Sequence, residues 1–280
     1  MIRLSACADQ VSADLIEQLY VLRSEGIRWV ELRSVWDTDV LDLSDEQVEE
    51  IKDALDGQRF GVSAIGSSLG KAPIDQPFAE QLARLRRAIT LAYTFETPYI
   101  RISSFYPPTG QEGATLDPEV YRDEVLGHVT EMAELAGTAG ITLLHENVEG
   151  TYGDTIERCA DLLTNSRSTH LQTILNPANF IQVGQTPYPD AYLALRTRIR
   201  YLHVNDALPD GTVVAADEGA AQWPDLLTTL RMDGFSGFFS LDSHLTAAGR
   251  YEGLSGPDIF RQASHAFQRL LRQMDWALEE

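Results

Sequence analysis

The chain has 280 residues, 44% hydrophobic and 23% charged, enough to bury a substantial core and to exclude collagen-like, disordered and disulfide-stapled classes. Its 42 acidic against 22 basic residues give a formal charge of −20, which repels nucleic-acid phosphates and anionic membranes. No apolar run approaches the roughly 18 residues of a membrane span, the opening MIRLSACADQ does not read as a signal peptide, and Cys7 and Cys159 lack metal-ligand spacing, so a reducing cytoplasm is the expected setting.

Short β-like runs alternate with longer segments whose apolar residues recur every three or four positions. The first two strands are expected over Ile2–Ala6 and Trp29–Arg33. Ser44 and Gln47 then form a capping box before a helix whose apolar face is Val48, Ile51 and Leu55. A third strand over Gly61–Ile65 leads to a helix marked by Phe78, Leu82, Leu85 and Ile89. The fourth, Tyr99–Ser103, leads to a loop over Phe105–Leu116 whose prolines and glycines fit an active-site lid or a surface excursion equally. After Pro118, the spacing of Val125, Val129 and Met132 predicts a helix before a fifth strand over Ile141–Glu146, and Asp154 reads as the cap of the next helix. Strands six to eight are expected over Leu171–Leu175, Tyr201–Val204 and Gly237–Leu241. Pro224 opens the helix between the last two, and Ile259, Ala263, Phe267, Leu270 and Met274 mark a final one. Eight strands recurring about every 25 to 40 residues, with no linker between them, predict an α/β fold, one (β/α)8 TIM barrel over residues 1–280.

In such a barrel, catalytic groups gather where the strands end, because the loops there share one mouth. The ends carry Arg33, Ser67 and Lys71, Arg101, Glu146 with Asn147, Asn176 with Asn179, His203 with Asp206, and Asp242 with His244. Adjacent strands lie about 4.8 Å apart, so Glu146, Asn176, His203 and Asp242 can converge. Two carboxylates, one imidazole and one amide oxygen suit Mn²⁺ or Mg²⁺ and tolerate Zn²⁺ or Co²⁺.

The strings SSLGK at 67–71, RISSFY at 101–106, HENVEGTYGDT at 145–155, NPANF at 176–180, HVNDA at 203–207 and LDSHL at 241–245 cover strands three to eight in order. Together they resemble the xylose isomerase-like sugar phosphate isomerase/epimerase family, in which they typically read SPIGK, RIFSFY, HEN followed by YGDT, DPANF, HVKDA and LEPHL. The resemblance implies a divalent-metal barrel that isomerises or epimerises sugars, with relatives that dehydrate inososes or cut DNA at abasic sites. It also implies Glu146, Asn176, His203 and Asp242 as metal ligands. Three positions depart from the pattern: Asn176 replaces Asp, Asp242 replaces Glu, and Asn205 replaces Lys. Two carboxylates instead of three lower the expected metal affinity. The shorter Asp242 should sit roughly 1.5 Å further back, and a shift of about 1 Å can cost on the order of a hundredfold in rate.

The chemistry expected is proton removal next to a carbonyl through an enediolate, with Glu146 and Asp242 serving as base and acid on the two faces. Lys71 and Arg101 either hold a phosphate or anionic oxygen or are merely solvated, and Asn179, Asp206 and His244 join them as candidate substrate contacts. Asp206 either orients His203 through its second ring nitrogen or begins the next loop. His145 and His244 flank the two carboxylates and should point to the other face of their strands. The expected function is a metal-dependent sugar (phosphate) isomerase or epimerase. The alternatives are a catalytically degenerate sugar-binding barrel and an inosose dehydratase-like lyase. A small-molecule sugar, not nucleic acid or membrane, is the expected partner, and a homo-oligomer is the base-rate expectation.

Overall fold

In the computed structural model, which describes residues 2–110, 116–245, 251–276 and 278, the alternation closes on itself. The barrel strands are β1 (Arg3–Cys7), β2 (Trp29–Leu32), β3 (Gly61–Ile65), β4 (Tyr99–Ile102), β5 (Thr142–His145), β6 (Leu171–Leu175), β7 (Ile199–Val204) and β8 (Phe238–Leu241). Each pairs in parallel with the next, and β8 returns to β1 with Arg3 opposite Phe238 and Leu4 opposite Phe239. Every strand lies within two residues of its expected span.

The helices are α1 (Leu15–Ser24), α2 (Asp45–Gln58), α3 (Phe78–Thr94), α4 (Arg122–Thr138), α5 (Ile156–Asn165), α6 (Pro177–Gln182), α7 (Tyr192–Leu195), α8 (Trp223–Met232) and α9 (Gly256–Gln273). The capping box of α2 is present: the Gln47 N–H donates to Ser44 Oγ and the Ser44 N–H to Gln47 Oε1. Two local details differ from expectation. Thr155, not Asp154, caps α5, because Asp154 turns back to accept the Gly150 N–H and pair with Arg158. Pro224 is the second residue of α8, after Gln222 adopts a left-handed φ of 56° and Trp223 starts the helix. On α9, Phe260, Phe267 and Leu270 are buried, and the Phe267 ring meets Phe239 and Trp223, each with centroids 5.3 Å apart. Side chains buried this fully are worth about 2–3 kcal/mol each, which fastens the last helix across β8.

Strand parity layers the barrel interior. Trp29, Tyr99, Tyr201 and Phe238 join Ala64, Leu144 and Ile174 in a separate apolar cluster near the amino ends. Two residues on, the same strands present Glu31, Arg101, His203 and Ser240, all buried. Two further on come Arg33, Ser103, Asn205 and Asp242 at the mouth. The expected lid is described only at its ends, since residues 111–115 lie outside the described residues.

Candidate active site

A buried charged layer is built on strands alone. Glu31 on β2 accepts hydrogen bonds from Ser240 Oγ at 2.9 Å and meets His203 Nε2 at 3.0 Å with the same oxygen, and Arg101 Nη1 lies 3.4 Å from the other. The same guanidinium nitrogen is 3.4 Å from Glu146 Oε2 and so bridges the two carboxylates. Burial opposes the charge on Glu31, but His203 and Arg101 outweigh it and hold the carboxyl at about 2. Burial likewise opposes protonation of His203, and Glu31 and Glu146 override it, raising the imidazole to about 10. Glu146 is also held well below the ordinary carboxylate range: burial works against it, and His203 and Arg101 prevail.

Above this layer, four side chains from consecutive strand ends meet. His203 Nδ1 lies 2.8 Å from Glu146 Oε1 and 3.9 Å from Asp242 Oδ2, so the Asp carboxylate stands 1.1 Å farther from the imidazole than the Glu carboxylate does. Asn176 follows β6 and caps α6, its Oδ1 accepting the Asn179 N–H at 3.3 Å. Its amide nitrogen is 3.0 Å from Glu146 Oε1 and 3.2 Å from His203 Nδ1. Asn205 repeats the arrangement one strand over: its Oδ1 accepts the Ala178 N–H at 3.1 Å and its Nδ2 donates to Asp242 Oδ2 at 3.1 Å. Gln10, in the turn after β1, donates to the other Asp242 oxygen while its own oxygen accepts the Ser243 hydroxyl at 3.0 Å.

Glu146, His203 and Asp242 each offer a ligand atom within one 4.8 Å sphere of mutual distances and fit a divalent cation in donor type. Cys7, Glu31 and His203 satisfy the same distance limit, but all three are fully enclosed and burial drives the Cys7 thiol well above its ordinary value. The upper group, where Asp242 is partly exposed, is the one with a way in. Asn176, expected as the fourth ligand, turns its nitrogen rather than its oxygen to this group, because the oxygen points to the first turn of α6, where it accepts the Asn179 N–H.

The remaining expected residues spread out. Arg101 is buried in the charged layer rather than at the rim. Lys71 is an exposed rim residue; desolvation first and Arg101 second pull its ammonium below the usual lysine range, while Glu146 pulls it back. Its turn is fixed by Gly70, whose φ of +75° and contact with the Ser103 backbone leave no room for a side chain. His244 is exposed, its Nε2 3.5 Å from Arg33 Nη2, and Arg33 is tied to Asp9 at 2.7 Å. Asn179 is half-buried one turn along α6. Asp206 does not orient His203: its carboxylate accepts the backbone N–H groups of Ala207, Asp217, Gly219 and Ala221 at 2.8 to 3.2 Å and so pins the β7–α8 loop. Glu31 performs that orienting task instead. His145 faces away, buried against Ser104 Oγ at 3.1 Å.

Glu31 and Gln10 were not found by reading strand ends. Glu31 has a sequence signal in hindsight, since a charge in the middle of a strand enclosed on both faces must have buried partners. At the opposite end of the barrel, a cavity of about 390 Å³ lined by Arg3, Tyr192, Arg196 and Arg200 includes only Asp233 as an acid, 4.0 Å from Arg196. The convergent acid and base groups are at the mouth.

The model of the xylose isomerase-like TIM barrel family matches residues 19–270. Among solved structures, the probable 3-DHS dehydratase AsbF of Bacillus anthracis superposes with a TM-score of 0.74 at 18% identity, covering 96% of this chain and 99% of that one. The 3-keto-D-glucoside 4-epimerase YcjR of E. coli does so at 0.72 and 12%, covering 97% and 100%. The IOLI protein with a bound zinc atom gives 0.76 and 15%, covering 97% and 99%. None of the curated proteins matches the chain in sequence.

Proposed function

From the premise that this chain belongs to the xylose isomerase-like TIM barrel family, we propose that it is an isomerase or epimerase of a small polyhydroxy carbonyl compound, a sugar or sugar phosphate. The observation that carries this reading is the pair of carboxylates, Glu146 and Asp242, held 2.8 and 3.9 Å from one imidazole nitrogen.

Glu146 stays ionised, because His203, Arg101 and Asn176 surround it with positive charge and an N–H donor. It removes the proton from the carbon next to the carbonyl, and the C–H electron pair moves into the enediolate. Asp242, protonated from solvent at its partly exposed edge, gives that proton to the same carbon from the other side in an epimerisation, or to the neighbouring carbon in an isomerisation as the substrate's hydroxyl proton passes to the former carbonyl oxygen, and Glu146 then releases its proton to solvent. Arg101 and Asn176 fix Glu146, while Gln10 and Asn205 fix Asp242, so neither base spends substrate-binding energy on finding its position. A divalent cation held by Glu146, His203 and Asp242 would supply polarisation of the substrate's oxygens. Lys71 on the rim supplies a cation for a phosphate or other anionic end. The low expected affinity for nucleic acid follows from the −20 charge.

Proton-for-deuterium exchange in heavy water, run across ketoses, sugar phosphates and inososes with Mn²⁺ present, reports abstraction whatever the final product. At least one compound should exchange, and E146Q should lose about a thousandfold or more of that rate; because it also takes a buried carboxylate from Arg101 and His203, the rate is read below its lowered unfolding temperature. Full exchange in E146Q removes Glu146 from the mechanism. The aversion of Asn176 from metal ligation favours a second reading, a barrel that binds such compounds without turning them over. Binding without exchange across the whole panel would establish it.

A further inference from the structure

The two asparagines at the mouth share one construction. Each has its oxygen on a backbone N–H in the first turn of α6, Asn176 on Asn179 and Asn205 on Ala178, and each directs its amide nitrogen at one of the two proposed bases, Asn176 at Glu146 and Asn205 at Asp242. An amide nitrogen has no lone pair to give a cation. Turning the Asn176 amide over would let its oxygen face His203 Nδ1 at about 3.2 Å, but would also set that oxygen about 3.0 Å from a Glu146 oxygen and its nitrogen against the Asn179 N–H, losing two bonds for one. The orientation is therefore dictated by both neighbours.

We propose that Asn176 and Asn205 form an amide clamp that holds Glu146 and Asp242 in place in the absence of metal, so that a divalent cation enters a three-ligand site of Glu146, His203 and Asp242 weakly and without assembling it. The inference rests on the reading of these two carboxylates as the working bases. The clamp does by hydrogen bonding what a cation would otherwise do, keeping two acids near each other in a buried setting without mutual repulsion. An Asp at 176 has two oxygens and can serve the α6 cap and a cation together. Without a cation its second oxygen meets the Glu146 carboxylate instead of donating to it.

The test measures Mn²⁺ binding by calorimetry and by the electron paramagnetic resonance of free and bound Mn²⁺, and thermal unfolding with EDTA or with Mn²⁺, with no sugar present. Wild type should bind Mn²⁺ at least tenfold more weakly than N176D. EDTA should leave its unfolding temperature within about a degree, whereas N176D should lose several degrees in EDTA and regain them with Mn²⁺. N176A provides the check should N176D fail to fold: removing a non-ligand should leave the Mn²⁺ affinity within about threefold of wild type. Wild-type affinity equal to that of N176D, a loss of tenfold or more in N176A, or no Mn²⁺ uptake by any of the three would overturn the proposal. These readouts involve no substrate, so they fail or succeed independently of the exchange experiment.

Discussion

The strand-borne layer of Glu31, Arg101, His203 and Ser240 and the loop-borne rim of Arg33, Lys71 and His244 hold charge by opposite means. In the layer every charged group is buried and shared: Arg101 serves two carboxylates and His203 serves two, one through each nitrogen. On the rim, Arg33 is paired with Asp9, His244 lies 3.5 Å from Arg33, and Lys71 is exposed. Removing a partner should therefore cost stability in the layer and binding at the rim, because an orphaned buried charge has no water to turn to and an orphaned rim charge does.

Glu31→Gln breaks that contrast most severely if the layer is as tightly coupled as the distances indicate. It keeps the shape and a hydrogen-bonding oxygen but leaves Arg101 with Glu146 alone and takes from His203 the carboxylate at Nε2, so that its anionic neighbours, Glu146 and Asp242, are both at Nδ1. Urea unfolding should show a loss of about 3–5 kcal/mol, the range for breaking a buried ion pair from one side. A loss below about 1 kcal/mol would mean that Glu31 is no more than a rim charge in a deeper place.

Smaller, and opposite in sign to the stabilisation of charge in the layer, is the effect of burial on His145. This residue precedes Glu146 but faces away from the mouth, and burial presses its imidazole down to about 4 despite the adjacent carboxylate. Above the ordinary histidine value of roughly 6.5, both folded and unfolded states hold it neutral. As pH falls from there towards 4, the unfolded chain takes up a proton that the folded one refuses. Stability should thus decline at up to about 1.4 kcal/mol per pH unit across that window and level off below it. In H145Q the slope between pH 6.5 and 4 should shrink by that amount, and an unchanged slope would show that other groups set it.

The same contrast separates what the sequence discloses from what it hides. Alternation in two-residue steps places Trp29, Glu31 and Arg33 on one face and Tyr201, His203 and Asn205 on another, so the barrel, its strand limits and the convergence of Glu146, His203 and Asp242 are all legible. The type of bond each residue makes is not. Asn176 reads as an oxygen ligand until its oxygen is seen to point to the α6 cap and its nitrogen to Glu146. Asp206 reads equally as the partner of His203 or as the start of a loop until the N–H of Ala207 and three more from eleven to fifteen residues on are seen to occupy it. Both outcomes depend on how a loop folds back, which strand periodicity does not encode. Gln10 escaped for a related reason: it lies in a short turn beyond β1 with no strand-end signature, yet it reaches Asp242 across the closure of the barrel.

Lys71→Met gives the smallest expected effect and the sharpest test of the rim. Its backbone is set by the turn at Gly70 and by the Lys71 N–H donating to the Ser68 carbonyl at 3.0 Å, neither of which needs the ammonium, so unfolding should shift by less than about 0.5 kcal/mol. The ammonium is nevertheless within electrostatic reach of Glu146 and Asp242, the two groups assigned to proton transfer. If it holds a distant anionic end of the substrate, K71M should raise KM by about tenfold for a phosphorylated compound that exchanges, change it little for the free sugar, and leave kcat close to wild type. A fall in kcat with KM intact would move Lys71 from the rim to the reacting atoms. The line between the two regions would then run through the mouth itself rather than beneath it.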